Sequence, residues 1–190
     1  MPKKRVHIEI KFAGFGGQGM ILAGHIIGKA ATIYEDYNVV LTRSYGPEAR
    51  GGASSSNVII DTSTIDYPYV SSLDALIVMS QESYDKYIDL LKEGGYLFLD
   101  SDLVKIPKED HKRFKVYSIP ATGIAEKIGR HIVANIVMLG FFTRITGYLK
   151  YESVLNAVLT TVPPKTIELN KKAFNEGFEY GEKLQMEVTA

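Results

Sequence analysis

The loop Gly14-Phe15-Gly16-Gly17-Gln18-Gly19 constrains this chain more than any other stretch, because of what flanks it. Before it, Val6-His7-Ile8-Glu9-Ile10-Lys11-Phe12 alternates apolar and polar residues as a strand does. After it, Met20 to Ile33 is rich in Ile, Leu and Ala and free of proline, as a helix requires. Strand, glycine-rich turn, helix is a phosphate-cradling order. Glycines let the backbone approach a ligand, and the N–H groups of a helix start attract negative charge. Gly14, Gly16 and Gly19 also satisfy G-x-G-x-x-G, a pattern that does not identify its ligand alone.

Downstream, strands and helices alternate. Asn38–Thr42, Asn57–Asp61, Asp74–Met79, Tyr96–Asp100 and Val116–Ile119 read as strands, the last at an edge. A helix is expected over 81–92, closed by Gly94-Gly95. The C-terminal third reads as helices over 121–128, 131–146, 151–161 and 164–184. The second of these is apolar nearly all round and should be buried, while Pro163-Pro164 starts the last. The pattern predicts an α/β fold: a three-layer α/β/α sandwich with a mostly parallel, mixed, Rossmann-like sheet. At 190 residues, 1–190 is expected to form one domain.

Composition removes several function classes. The 22 basic and 22 acidic residues balance, so there is no electrostatic footprint for nucleic acid. No apolar run reaches the roughly 18–20 residues that span a bilayer, and no signal-peptide core follows the basic start, so a cytoplasmic protein is expected. With no cysteine, the chain cannot bind an iron–sulfur cluster through thiolates or use a thiol nucleophile. Histidines 7, 25, 111 and 131 are scattered, and no metal site is expected. There is also no G-x-S-x-G elbow, phosphate-binding Lys loop or H-E-x-x-H, so no catalytic residue is assigned.

A dinucleotide site needs an acidic residue at the end of the second strand to hold the ribose. Here that strand ends in Thr42-Arg43, which disfavours NAD. Arg43 can meet a phosphate, as in NADP or coenzyme A, or simply be solvated. The loop Ser44-Tyr45-Gly46-Pro47-Glu48-Ala49-Arg50-Gly51-Gly52 should lie at the carboxyl end of a strand, where open α/β sheets bind ligands. Tyr45 offers a stacking face and Arg50 a fork for carboxylate or phosphate, with an intersubunit contact as the alternative role. The cofactor-binding residues expected are Gly14, Gly16, Gly17, Gln18, Gly19, Arg43, Tyr45, Glu48, Arg50, Gly51 and Gly52.

Together the two glycine-containing loops resemble the gamma subunit of the 2-oxoacid:ferredoxin oxidoreductases. The likeness continues through Ile65-Asp66-Tyr67-Pro68, Asp74–Met79, Asn135 with Leu139-Gly140, and Asn170-Lys171-Lys172-Ala173-Phe174. Gly-Phe-Gly-Gly-Gln-Gly is more similar to the 2-oxoglutarate branch than to the pyruvate branch. The resemblance implies an accessory subunit working with alpha, beta and ferredoxin-like delta chains and with ferredoxin as electron acceptor. Coenzyme A would be the co-substrate, while thiamine diphosphate, Mg and iron–sulfur clusters would reside in the partners. The alternatives from the residues alone are a stand-alone NADP-dependent oxidoreductase and a nucleotide-binding regulator.

Overall fold

The computed structural model describes residues 6–45 and 52–189. The first strand, β1 (His7–Phe15), runs further than its alternation suggests and takes in Gly14 and Phe15. It leads through the glycine turn into α1 (Met20–Lys29), which loosens into a π-helical turn over Ala30–Tyr34. Then come β2 (Asn38–Tyr45), β3 (Ala53–Asp61), β4 (Leu73–Val78), α2 (Gln81–Tyr87), β5 (Leu91–Asp100), the single turn α3 (Asp110–Arg113) and β6 (Lys115–Ile119). Helices α4 (Ala121–Ile128), α5 (Ala134–Thr146), α6 (Tyr151–Leu159) and α7 (Ile167–Thr189) complete the order.

The sheet order is β2-β3-β1-β4-β5-β6. Pairings β1/β4, β4/β5 and β5/β6 are parallel, whereas β3 is antiparallel to both β1 and β2. The expected mixed, mostly parallel sheet is therefore present, with β6 at one edge. Because β3 is wedged between β1 and β2, the strand that follows α1 is not the neighbour of β1. That departs from a dinucleotide-binding unit, in which the two lie side by side and the ribose-holding acid stands at the second.

The two outer layers are unequal. Ile10, Phe12, Val58, Ile77 and Phe98 face a large core closed by α1 and α4–α7. Leu76, Val78, Leu97 and Leu99 face a smaller core closed by Tyr84 of α2 and by Phe114. Two expectations need correction. The helix predicted over 81–92 ends at Tyr87, and after a 3₁₀ turn Leu91 already pairs with Leu73. Gly94-Gly95 do not close a helix but lie in an irregularity of β5, where Gly94 adopts φ 73° and the register with β4 shifts. A buried apolar pairing with β4 outweighs helix propensity here.

Helix α5 is buried from Ala134 to Thr143 and is held at backbone contact against α7. A Cβ added to Gly140 would lie 2.0 Å from the Phe174 carbonyl oxygen, and one on Gly177 would lie 1.9 Å from that of Val137. Alanine normally stabilises a helix interior relative to glycine by about 1 kcal/mol. Here Gly140→Ala or Gly177→Ala must push the two helices apart, so we expect a loss of at least about 3 kcal/mol in denaturant-unfolding measurements.

At the amino end of β1, His7 lies 2.6 Å from Asp61 and 3.3 Å from Glu9. The Asp61 hydrogen bond raises the histidine above its ordinary value of 6.5, with burial opposing. Burial pushes Glu9 up, but the N–H groups of Ser72 and Ser71, with His7, hold it below the usual range. A raised histidine stabilises the fold fully below its unfolded value and loses that contribution as pH rises through the folded value. The thermal midpoint should therefore fall modestly over roughly pH 6–8, and His7→Gln should flatten that slope.

Candidate functional site

The glycine turn sits at the carboxyl ends of β1, β2 and β4, and its own side chains build it. Gln18 is the organiser. Its Oε1 accepts from the Phe15 N–H at 2.6 Å, and its Nε2 donates to the Met79 carbonyl at 2.7 Å, just past β4. Gly14 is small for an internal reason: a Cβ there would meet Gln18 Oε1 at 2.5 Å and Met20 Cγ at 3.1 Å. Gly17 and Gly19 have φ of 97° and 73°, which side-chain-bearing residues rarely adopt. Gly19 is also crowded, because its Cβ would collide with Asn135. The Asn135 amide donates to the Gly19 carbonyl at 3.1 Å, so the first turn of α5 clamps the start of α1.

The two sequence loops meet. The Gly16 N–H donates to the Gly52 carbonyl at 2.7 Å, and the Ser54 hydroxyl reaches the Phe15 carbonyl at 3.3 Å. Ser56 donates to the Met20 carbonyl at 2.8 Å, so Ser54 and Ser56 are strand residues that brace the loop. Arg43 and Tyr45 stand two residues apart at the end of edge strand β2, on the side that α1 covers, and both are exposed. Tyr45 is 69% exposed. Glu48, Arg50 and Gly51 lie outside the described residues.

Helix starts at this end of the sheet differ in charge. In α2 the Ser80 hydroxyl accepts from the Ser83 N–H. At α4, Asp100 accepts from the Thr122 N–H and hydroxyl at 3.0 and 2.7 Å, and Asp102 accepts from the Gly123 N–H at 2.8 Å. Burial raises the Asp100 carboxyl, with the Thr122 and Asp102 hydrogen bonds opposing. At the start of α1, among the described residues, no side chain meets the N–H groups, and its first turn holds no acidic residue. Its N–H groups, beside Arg43 and Tyr45, are the ones left to meet an anionic ligand.

Sequence reasoning selected the glycines and Gln18 but saw Gln18 only as a ligand contact, whereas both ends of its amide are spent inside the protein. The clamp by Asn135 was not read as chemistry. A lone amide in the apolar first half of the helix was the available signal. His25, His111 and His131 are exposed and apart, and no group of three potential metal ligands occurs among the described residues. No helix of the described residues is long and apolar enough to cross a membrane.

Comparison with known proteins fits this geometry. The sequence pattern of the pyruvate ferredoxin/flavodoxin oxidoreductase family matches residues 9–180. The 2-oxoglutarate synthase subunit KorC of Methanocaldococcus jannaschii is 50% identical over 97% of this chain and 100% of its own length. The crystal structure of a keto/oxoacid ferredoxin oxidoreductase gamma subunit from Geobacter sulfurreducens is 45% identical, with a TM-score of 0.84 over 94% of this chain and 98% of that one. A 2-oxoglutarate:ferredoxin oxidoreductase from Magnetococcus marinus shares the fold, with a TM-score of 0.86 and 20% identity; this chain corresponds to 32% of that one. The family and the Geobacter sulfurreducens protein are named for ferredoxin, which leaves the NADP reading without support, as does the position of β3. This chain belongs to the pyruvate ferredoxin/flavodoxin oxidoreductase family.

Proposed function

We propose that this chain, a gamma-type subunit of a multi-subunit 2-oxoacid:ferredoxin oxidoreductase, presents its glycine-loop end to coenzyme A in a cytoplasmic complex that oxidises 2-oxoglutarate. The relatives named for 2-oxoglutarate, at up to 50% identity over nearly the whole chain, support that choice of oxoacid. The observation that carries the coenzyme A reading is the uncapped start of α1, held open by Gln18, Asn135 and Gly52 next to exposed Arg43 and Tyr45. A pyrophosphate is recognised well by such a helix start and a guanidinium, and an adenine by an exposed aromatic ring. The reaction couples decarboxylation to acyl transfer onto the thiol. This chain's share is positioning: it fixes the carrier so that its thiol end reaches the acyl group held on a partner.

The residues present do not fit an iron–sulfur cluster, because there is no cysteine, and among the described residues no catalytic group is gathered at the site. Thiamine diphosphate, Mg and the clusters belong in this reading to alpha, beta and ferredoxin-like delta chains, with ferredoxin taking the electrons. The isolated chain should fold and show no turnover of a 2-oxoacid. Turnover without partners would overturn the reading.

Gln18→Glu keeps an acceptor for Phe15 but loses the donor to Met79 and puts a carboxylate at the anion-attracting helix start. In the reconstituted complex we expect the KM for coenzyme A to rise at least about tenfold, roughly 1.4 kcal/mol, with subunit assembly retained on sizing chromatography. Tyr45→Ala should raise it in the same direction. Arg50→Lys, which cannot reproduce a two-pronged contact to carboxylate or phosphate, should weaken coenzyme A use or subunit association by at least about tenfold. Wild-type values for all three variants would refute the site.

A further inference from the structure

Gly19 leads into α1 in an unusual way. The residue before a helix is ordinarily extended, and its side chain turns back to accept from the first N–H groups. Gly19 instead has φ 73° and ψ 23°, in the left-handed region, and carries no side chain. The space in which that side chain would begin is nevertheless filled. A Cβ built on Gly19 would fall on the side-chain amide of Asn135, 2.9 Å from its Cγ.

Asn135 belongs to the first turn of α5 and is 3% exposed, between buried Ala134 and Ile136. Its nitrogen faces Gly19, because a carbonyl oxygen can only accept. The same carbonyl accepts the Ala23 N–H at 2.9 Å, the first bond of the helix ladder, so both its lone pairs are engaged. The amide thus fastens the helix start through a carbonyl and leaves the N–H groups alone. A capping serine or aspartate at position 19 would do the reverse. It would take up those N–H groups, and a carboxylate would also cancel the positive end of the dipole. Such a side chain would collide with Asn135. The amide is itself held in place, since Gly140 and Gly177 keep α5 at backbone contact with α7.

We propose that Asn135 is a positioning residue for coenzyme A. Standing where a cap would begin, it fixes Gly19 in its left-handed conformation and keeps the N–H groups of α1 open and aimed at the pyrophosphate. The inference rests on the reading that the glycine-loop end receives coenzyme A, and it gives a task to a side chain that acts through Gly19. The attraction of a helix start for an anion fades within one turn, so a small rotation of Met20–Leu22 is enough to weaken it. The effect falls on how tightly the carrier is held, and the chemistry on the partner subunits is left as it is.

The test uses the reconstituted complex, with ADP as a competitor that carries the pyrophosphate and adenine but no thiol. Asn135→Leu keeps the branched shape in a buried setting and removes the donor to Gly19. It should raise the KM for coenzyme A and the inhibition constant of ADP together, each at least about tenfold. The kcat at saturating coenzyme A, the KM for the 2-oxoacid and subunit assembly should stay at wild-type values, whereas a purely structural role would move these too. Asn135→Asp sets an oxygen against the Gly19 carbonyl and a charge beside α1, and should raise both constants further. A KM for coenzyme A that rises without the ADP constant, or together with the KM for the 2-oxoacid, overturns the proposal. Loss of assembly in both variants overturns it as well, by making the residue structural. Wild-type constants in both variants while Gln18→Glu still raises the KM defeat this proposal alone. ADP that fails to compete in the wild-type complex defeats the coenzyme A reading, and this proposal with it.

Discussion

Backbone contact between α5 and α7 fixes where the helical side of the molecule sits. Helices normally stand 8–10 Å apart because side chains keep them so. Here glycines on both partners, Gly140 and Gly177, bring carbonyls of the facing helix to within about 2 Å of where a methyl group would be. That leaves little freedom for α5 to slide or rotate. Since α5 carries Asn135 in its first turn, and Asn135 holds the Gly19 carbonyl, the packing of two C-terminal helices determines the geometry of a loop more than 100 positions earlier.

The loop itself is a rigid fixture, not a flexible flap. Gln18 spans from the end of β1 to the residue after β4, Gly16 is tied to Gly52, and Gly19 is tied to α5. Three elements distant in sequence thus converge on four residues. Asp100 and Asp102 cap α4 in the same region of the fold, so the end of the sheet has one electropositive helix start beside one that is already neutralised.

Much of this was legible in the sequence because local rules dominate there. The glycine loop, the buried run of α5 and the proline start of the last helix are each specified by residues close together. The family resemblance likewise rested on contiguous motifs. What was not legible depends on pairing at a distance. Nothing near Asp61 says that β3 inserts antiparallel between β1 and β2, and nothing near Gly94 says that the preceding Leu91 is recruited by Leu73. The roles of Gln18 and Asn135 escaped for the same reason, since each is defined by a partner 61 or 116 positions away. Lys11 falls at a polar position of an alternating strand, yet the neighbouring strands and Tyr87 enclose it.

The insertion of β3 bears on how the chain reaches its native state. Strands β2 and β3 are joined as a hairpin, whose closure needs only a short loop, and the pair meets β1 with α1, the one helix between them in the chain, packed on β1 and β3. Residues 7–61 therefore form one contiguous unit carrying the Gly16–Gly52 tie, whereas the Asn135 clamp joins segments that the chain brings together only after three further parallel strands have added. The glycine turn is thus outlined early by its own neighbourhood and locked late by a distant helix. A nascent chain emerging residue by residue would display the turn's outline well before the element that gives it its final shape has been synthesised.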